Sequence, residues 1–180
     1  MLKSLVLFAF AGLLFTACSK EEISTYGTAG SDLSERAGNP VIHHISVGGN
    51  DICAALGYPA GCDKNFSLTA VIRADGSVSG QWTDGNTNEG TKGVHVDITC
   101  ANLIGNSAVI YGVVKSGTRN GEDVTGRYAM TAVVDNGTSS KDPLDQISYS
   151  FLYRTPRDCN NYTAEDFPLE DLEIGQVKIK

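Results

Sequence analysis

FSLTAVIRADGSVSGQWT, residues Phe66 to Thr83, decides the fold. Phe66, Leu68, Ala70 and Ile72 fall on one side of an extended chain and polar neighbours fall between them. A period of two is the mark of a half-buried strand, because successive side chains of a strand point to opposite faces. Asp75-Gly76 is a hairpin signal, since glycine takes positive φ without a Cβ penalty. The return, Ser77 to Thr83, sets Val78, Gly80 and Trp82 on one face. The rhythm continues outward in both directions. Val41 to Val47 is a strand before it. Val94 to Leu103 follows, with Val94, Val96, Ile98 and Cys100 aligned, and Gly105-Asn106 turns the chain into Ala108 to Val114. Val124 to Val134 puts Tyr128, Met130, Ala132 and Val134 on one side and ends at Asn136-Gly137. Ile147 to Tyr153 and Gln176 to Lys180 complete the series. Helical candidates are short, around Ala54 to Leu56 and Thr163 to Asp171. The expected fold is all-β: an antiparallel meander of seven or eight strands forming a barrel or sandwich, with short helical turns. Periodicity leaves barrel and sandwich open, and sequential hairpins favour a sheet that curls on itself.

Composition fits this reading. The 180 residues suffice for one domain with a core, and 41% apolar against 19% charged residues exclude a disordered polyelectrolyte. Fourteen basic and 21 acidic residues give a net charge of −7. No Lys/Arg cluster appears, so a nucleic-acid partner is not expected.

Residues 1–17, MLKSLVLFAFAGLLFTA, join one lysine to an apolar run too short for a permanent membrane span. That is the form of a secretory signal peptide. Leu14-Phe15-Thr16-Ala17-Cys18 resembles the lipobox of bacterial lipoproteins. The resemblance implies that Cys18 carries lipid, palmitate among its acyl chains, and becomes the new N-terminus. Several acyl chains anchor stably where one would not. Ser19-Lys20-Glu21-Glu22 lacks the Asp that holds lipoproteins at an inner membrane and looks like an acidic surface-export signal. The expected location is the outer membrane of a Gram-negative bacterium, exposed at the cell surface, with a periplasm-facing alternative. Residues 18–38 are poor in apolar side chains and read as a flexible linker, which leaves 39–180 as a single disulfide-stapled β domain.

With Cys18 lipidated, Cys53, Cys62, Cys100 and Cys159 remain. An even number in an exported chain points to two disulfides, and three pairings exist. Cys53 and Cys62 bracket a loop with Gly57, Pro59 and Gly61, so local closure is geometrically cheapest and leaves Cys100 with Cys159. Zinc is not favoured, because close C-x-x-C spacing is missing.

The stretch Gly93 to Gly112 (GVHVDITCANLIGNSAVIYG), together with Val133-Val134-Asp135-Asn136-Gly137, Asp145-Gln146-Ile147-Ser148 and Asp158-Cys159-Asn160, resembles uncharacterised secreted bacterial β domains of the post-COAP type. The resemblance runs from about Phe66 to Lys180. It implies a secreted β fold and supports the Cys100–Cys159 pairing, since both motifs carry a cysteine. It brings no catalytic residues with it.

Motifs for chemistry are sparse. G-x-S-x-G, S-x-x-K, H-E-x-x-H and the phosphate-binding glycine loop are all missing. His95 and Asp97 lie two apart on a strand and share a face, a candidate polar pair for a hydrolase or a metal, set against a solvated outer surface. Asp84, Asn86 and Asn88 alternate in a glycine-rich loop, the pattern calcium favours, but the EF-hand glycine position holds Glu89 and turns use the same residues. Asp135, Asp142 and Asp145 form a similar set. Glu165-Asp166 and Glu170-Asp171 read as a solvated acidic surface. Trp82 reads as core, with a sugar platform beside Tyr111, Tyr149 and Tyr153 as the alternative. The expectation is a non-enzymatic binding domain without a resident cofactor, its partner a protein, a glycan or a small molecule. The alternatives are a small barrel carrying an apolar ligand and a hydrolase acting through His95 and Asp97.

Overall fold

The computed structural model describes residues 39–50, 57, 65–85 and 92–180. The elements are β1 (Val41–Asn50), β2 (Asn65–Arg73), β3 (Val78–Asp84), β4 (Val94–Ile104), β5 (Ser107–Arg119) and β6 (Glu122–Asp123). Then come β7 (Tyr128–Val134), β8 (Gln146–Ser148), β9 (Phe151–Tyr153), two 3-10 turns (Cys159–Asn161 and Ala164–Asp166), β10 (Leu169–Asp171) and β11 (Gly175–Ile179). They form one antiparallel sheet, ordered β10-β8-β7-β5-β4-β3-β2-β1-β11. It curls into a half-barrel. The chain turns at Asp75-Gly76 as expected, and the hairpin sets Leu68 opposite Trp82 and Ala70 opposite Gly80. Among the described residues, no helix is long and apolar enough to cross a membrane.

The concave side holds the main core. Ile45, Leu68, Trp82, Val96, Ile110 and Val177 are each at most 2% exposed and belong to one cluster. Trp82 is therefore an interior residue and no sugar platform. Burying side chains of this size stabilises by about 1.5–3 kcal/mol each, before ordering entropy is subtracted.

A second cluster lies on the convex side, and its cause is a bulge. The β4–β5 register shifts between Ile98 and Cys100. Val94, Val96 and Ile98 face inward, but Cys100 joins Val109, Tyr111, Met130 and Cys159 outside. Cys100 is thus not aligned with the valine row, because one extra residue turns a strand over. Cys100 bonds Cys159 across 59 positions with the Cα atoms 6.2 Å apart. The bond pins the segment after β9 against the sheet, and Asn102 Nδ2 donates to the Tyr162 carbonyl at 2.9 Å. Asp158 caps the first 3-10 turn, and Thr163 with Asp166 forms a capping box on the second. The strap makes β5 and β7 two-faced, which is why both are buried over successive residues and not alternate ones, Ala108 to Gly112 and Ala129 to Val133.

Three further elements differ from the sequence reading. The Val124–Val134 strand starts only at Tyr128; Val124, fully buried, anchors a turn instead. The Ile147–Tyr153 strand breaks at Tyr149-Ser150 into β8 and β9, which both pair with β7. The Thr163–Asp171 helix shrinks to the turn Ala164–Asp166, followed by β10.

The last strand completes the curl. β11 pairs with β1, Ile45 opposite Ile179 and Val47 opposite Val177. Two carboxylates from the β7–β8 connection serve its other edge. Val177 N–H donates to Asp145 Oδ2 at 2.7 Å and Ile179 N–H to Asp135 Oδ2 at 2.8 Å. Asp145 Oδ1 also accepts from Asn136 N–H at 2.8 Å, and its carbonyl from Leu172 N–H at 2.8 Å. The two aspartates stand where a neighbouring strand would, and blunt an edge open to mispairing.

The signal peptide, Cys18, the 18–38 linker, Cys53 and Cys62 with their loop, the turn at Ala54 to Leu56, and Asn86 and Asn88 lie outside the described residues.

Candidate functional site

His95 and Asp97 do share the outer face of β4, as their spacing requires. Each is engaged across the sheet. His95 Nδ1 pairs with Thr83 Oγ1 at 3.1 Å. Asp97 accepts from Gln81 Nε2 at 3.2 Å and faces Lys115 Nζ at 3.6 Å. They line a depression of about 130 Å³ with Ser116. No hydrogen bond joins His95 to Asp97 among the described residues.

Asp84 of the calcium loop is buried at the end of β3, 5% exposed. Of the second acidic set, Asp135 and Asp145 hold backbone N–H groups, and Asp142 Oδ2 accepts from Ser139 N–H at 2.8 Å. Among the described residues, no three His, Cys, Asp or Glu side chains gather as metal ligands would. Tyr111 stacks on Tyr128 at 5.8 Å between centroids, and Tyr153 lies under the Arg157 guanidinium at 5.1 Å. Burial raises both tyrosine pKa values above the ordinary 10.

The larger cleft, about 390 Å³, opens elsewhere. It lies between the far end of β5 and the break that separates β8 from β9. Asn120 and Gly121 both have positive φ, 52° and 75°, and form a tight hairpin that sets Arg119 opposite Glu122. A second turn follows at once. Thr125 donates to Asp123 Oδ1 through its N–H at 2.8 Å and its hydroxyl at 2.6 Å. Those bonds, the hydroxyl first, lower the Asp123 pKa. Val124 N–H bonds the Gly117 carbonyl and Gly126 N–H the Val114 carbonyl, so the excursion is tied to β5 at both ends. The chain then returns Arg127 to the same side as Glu122.

Three arginines meet here. Arg119 Nη1 donates to the Ser150 carbonyl at 2.8 Å, and its guanidinium lies 4.3 Å from the Tyr149 ring centroid. Arg127 donates to Glu122 Oε1. Arg154 Nη2 reaches the same oxygen at 3.4 Å. At the cleft wall, Ser150 is 2% exposed and its hydroxyl is buried with no hydrogen-bond partner among the described residues. Tyr149 and Ser150 lie at the break between β8 and β9, where the Arg119 guanidinium meets the Tyr149 ring and the Ser150 carbonyl.

Sequence reading missed this cleft. Asn120-Gly121 is among the strongest short hairpin signals, and it lies unused between the predicted strands. Four of the six arginines fall at 119, 127, 154 and 157, a concentration visible in the chain but spread over 39 positions. Folding gathers them because β5, β7 and β9 are neighbours in the sheet.

No protein-family model, no curated protein and no solved structure matches this chain. The reading of the cleft therefore rests on its own geometry.

Proposed function

We propose that the chain is a lipid-anchored, extracytoplasmic bacterial lipoprotein whose β domain is a non-enzymatic binding module, with its ligand site in the arginine-lined cleft. One observation carries the site: a cleft of about 390 Å³ lined by a stacked Arg119–Tyr149 pair and by Ser150, whose hydroxyl is buried without a partner among the described residues. Clefts with a few convergent polar groups are the usual form of a small-molecule site. The lipobox-like Leu14 to Cys18, the acidic Ser19 to Glu22 and the paired cysteines support an anchor at Cys18 in the outer membrane. The buried apolar side chains of the main core pack into one cluster, which supports binding at this surface.

Native mass spectrometry of the protein extracted gently from its own membrane tests the reading. The expected mass carries lipid on Cys18, lacks four hydrogens for two disulfides, and shows a small-molecule adduct that is lost in an Arg119→Ala variant. An unlipidated mature chain refutes the anchor. An adduct that survives Arg119→Ala refutes the cleft.

A further inference from the structure

We propose that the cleft takes an oxoanion, the carboxylate or sulfate of a small ligand, and that Glu122 holds its place while the site is empty. This rests on the reading of the cleft as the ligand site. Two guanidiniums, Arg127 and Arg154, face one glutamate, with the Arg119 guanidinium on the nearby cleft lining, on a chain whose net charge is −7. The nearby Asp123 carboxylate is turned into its own turn, where Thr125 engages it.

The pairing of Arg127 and Arg154 is incomplete in a specific way. Both reach a single oxygen, Glu122 Oε1. A guanidinium is a planar fork that matches two oxygens of one anion. One shared oxygen leaves the second tine of each fork unused by that pair. An arriving oxoanion presents two or three oxygens and satisfies both forks together. Glu122 is placed to yield: its side chain is 56% exposed and sits on β6, a two-residue strand at a hairpin tip. Arg127 is the fixed element, its side chain only 21% exposed, whereas Arg154, 77% exposed, can close over a ligand. Arg119 is held by the Ser150 carbonyl and Tyr149, so it adds positive potential at a set position. The local carboxylate therefore competes with the ligand, and weakening it strengthens binding.

The test uses the full mature chain in detergent micelles, with sodium sulfate, sodium glucuronate and neutral glucose as probes. Calorimetry gives affinity, and NMR of the arginine side-chain N–H groups gives location. Both anions are expected to shift the Arg119 and Arg127 resonances, with affinity falling as sodium chloride rises. Glu122→Gln is expected to tighten anion binding about fivefold, and Arg154→Gln to weaken it about tenfold. Arg154 is exposed, so that variant keeps its fold, and unchanged circular dichroism checks it. Glucuronate far above sulfate identifies a carboxylate on a sugar-sized body; equal affinity identifies the bare oxoanion. Unchanged or weaker anion binding by Glu122→Gln overturns the proposal. If glucose moves the cleft resonances and neither anion does, the cleft stands as a ligand site and the oxoanion proposal falls. If no probe moves them, the oxoanion proposal falls, and the native-mass comparison with Arg119→Ala decides the cleft by itself.

Discussion

Asp145→Ala should be among the most damaging single substitutions in the domain that removes no hydrophobic group. The Asp145 carboxylate, 7% exposed, accepts from the Val177 N–H at 2.7 Å and from the Asn136 N–H at 2.8 Å. A hydrogen bond to a charged acceptor contributes about 1.5–3 kcal/mol net, and a buried N–H left alone costs about 1–3 kcal/mol. Val177 is fully buried, so water cannot replace the lost acceptor there. Asn136 lies closer to solvent and recovers part of its loss. The sum is a destabilisation of about 3–5 kcal/mol, which for a domain of this size lowers Tm by about 10–20 °C. Urea unfolding followed through Trp82 reads it cleanly, since Trp82 is the sole tryptophan and 1% exposed. The midpoint should fall while the slope stays constant, because the area exposed on unfolding is unchanged. Asp145→Asn keeps an acceptor oxygen but loses the charge and should fall between the wild type and the alanine variant. Hydrogen exchange should quicken at Val177 and Ile179 before it quickens at Leu68. A loss below about 1 kcal/mol for Asp145→Ala would show that the last strand is held by β1 alone, and the reasoning would be wrong.

Replacing Cys100 and Cys159 together by alanine should cost about 4 kcal/mol, from the freed loop of about 60 residues, and should expose the outer cluster to a dye that binds apolar surface; an unchanged urea midpoint would contradict this. Gly112→Ala should cost at least about 1–3 kcal/mol, because a Cβ there would lie 2.2 Å from the Asp97 carbonyl oxygen on β4; a variant as stable as the parent would show that β4 can move aside. Asp75 should titrate at about 2 in carboxyl-detected NMR, lowered first by its side-chain hydrogen bond to Ser77, then by the Ser77 backbone and Asn39. Because this folded pKa lies below the ordinary 3.8, the carboxylate favours the native state above that value, and the benefit disappears as pH falls through about 2. Ser77→Ala should move the midpoint back towards 3.8, and a midpoint that stays near 2 would assign the effect elsewhere.

Much of the fold could be read from the chain because period two survives wherever only one face of a strand is buried. β2 and β3 are such strands, and the faces read for them meet, Leu68 opposite Trp82 and Ile72 opposite Val78. The reading failed where a face gained an unforeseen partner. β5 and β7 are covered on both sides, so alternation vanished, and nothing local in Cys100 announces the bulge that turns it outward. Asp135 and Asp145 looked like loop acids because their task, holding the edge of a strand more than 30 positions later, is invisible to spacing. The arginine cleft was hidden for the same reason. Its hairpin is local and legible at Asn120-Gly121, but Tyr149, Ser150 and Arg154 reach it only through the pairing of β9 with β7.

The pairing of β11 with β1 also sets an order in time. Ile45 waits for Ile179, 134 positions further on, and Val177 must arrive before Asp145 finds its N–H donor. β1 therefore has an unsatisfied edge until β11 is made. Such long-range closure is slow, typically milliseconds to seconds for sheet proteins, and it cannot begin before β11 has been made. A chain that must be threaded through a membrane before it folds gains from this delay. On the proposed route across a membrane, the late strand would act as a timer that keeps the domain open during passage and shuts it on the far side.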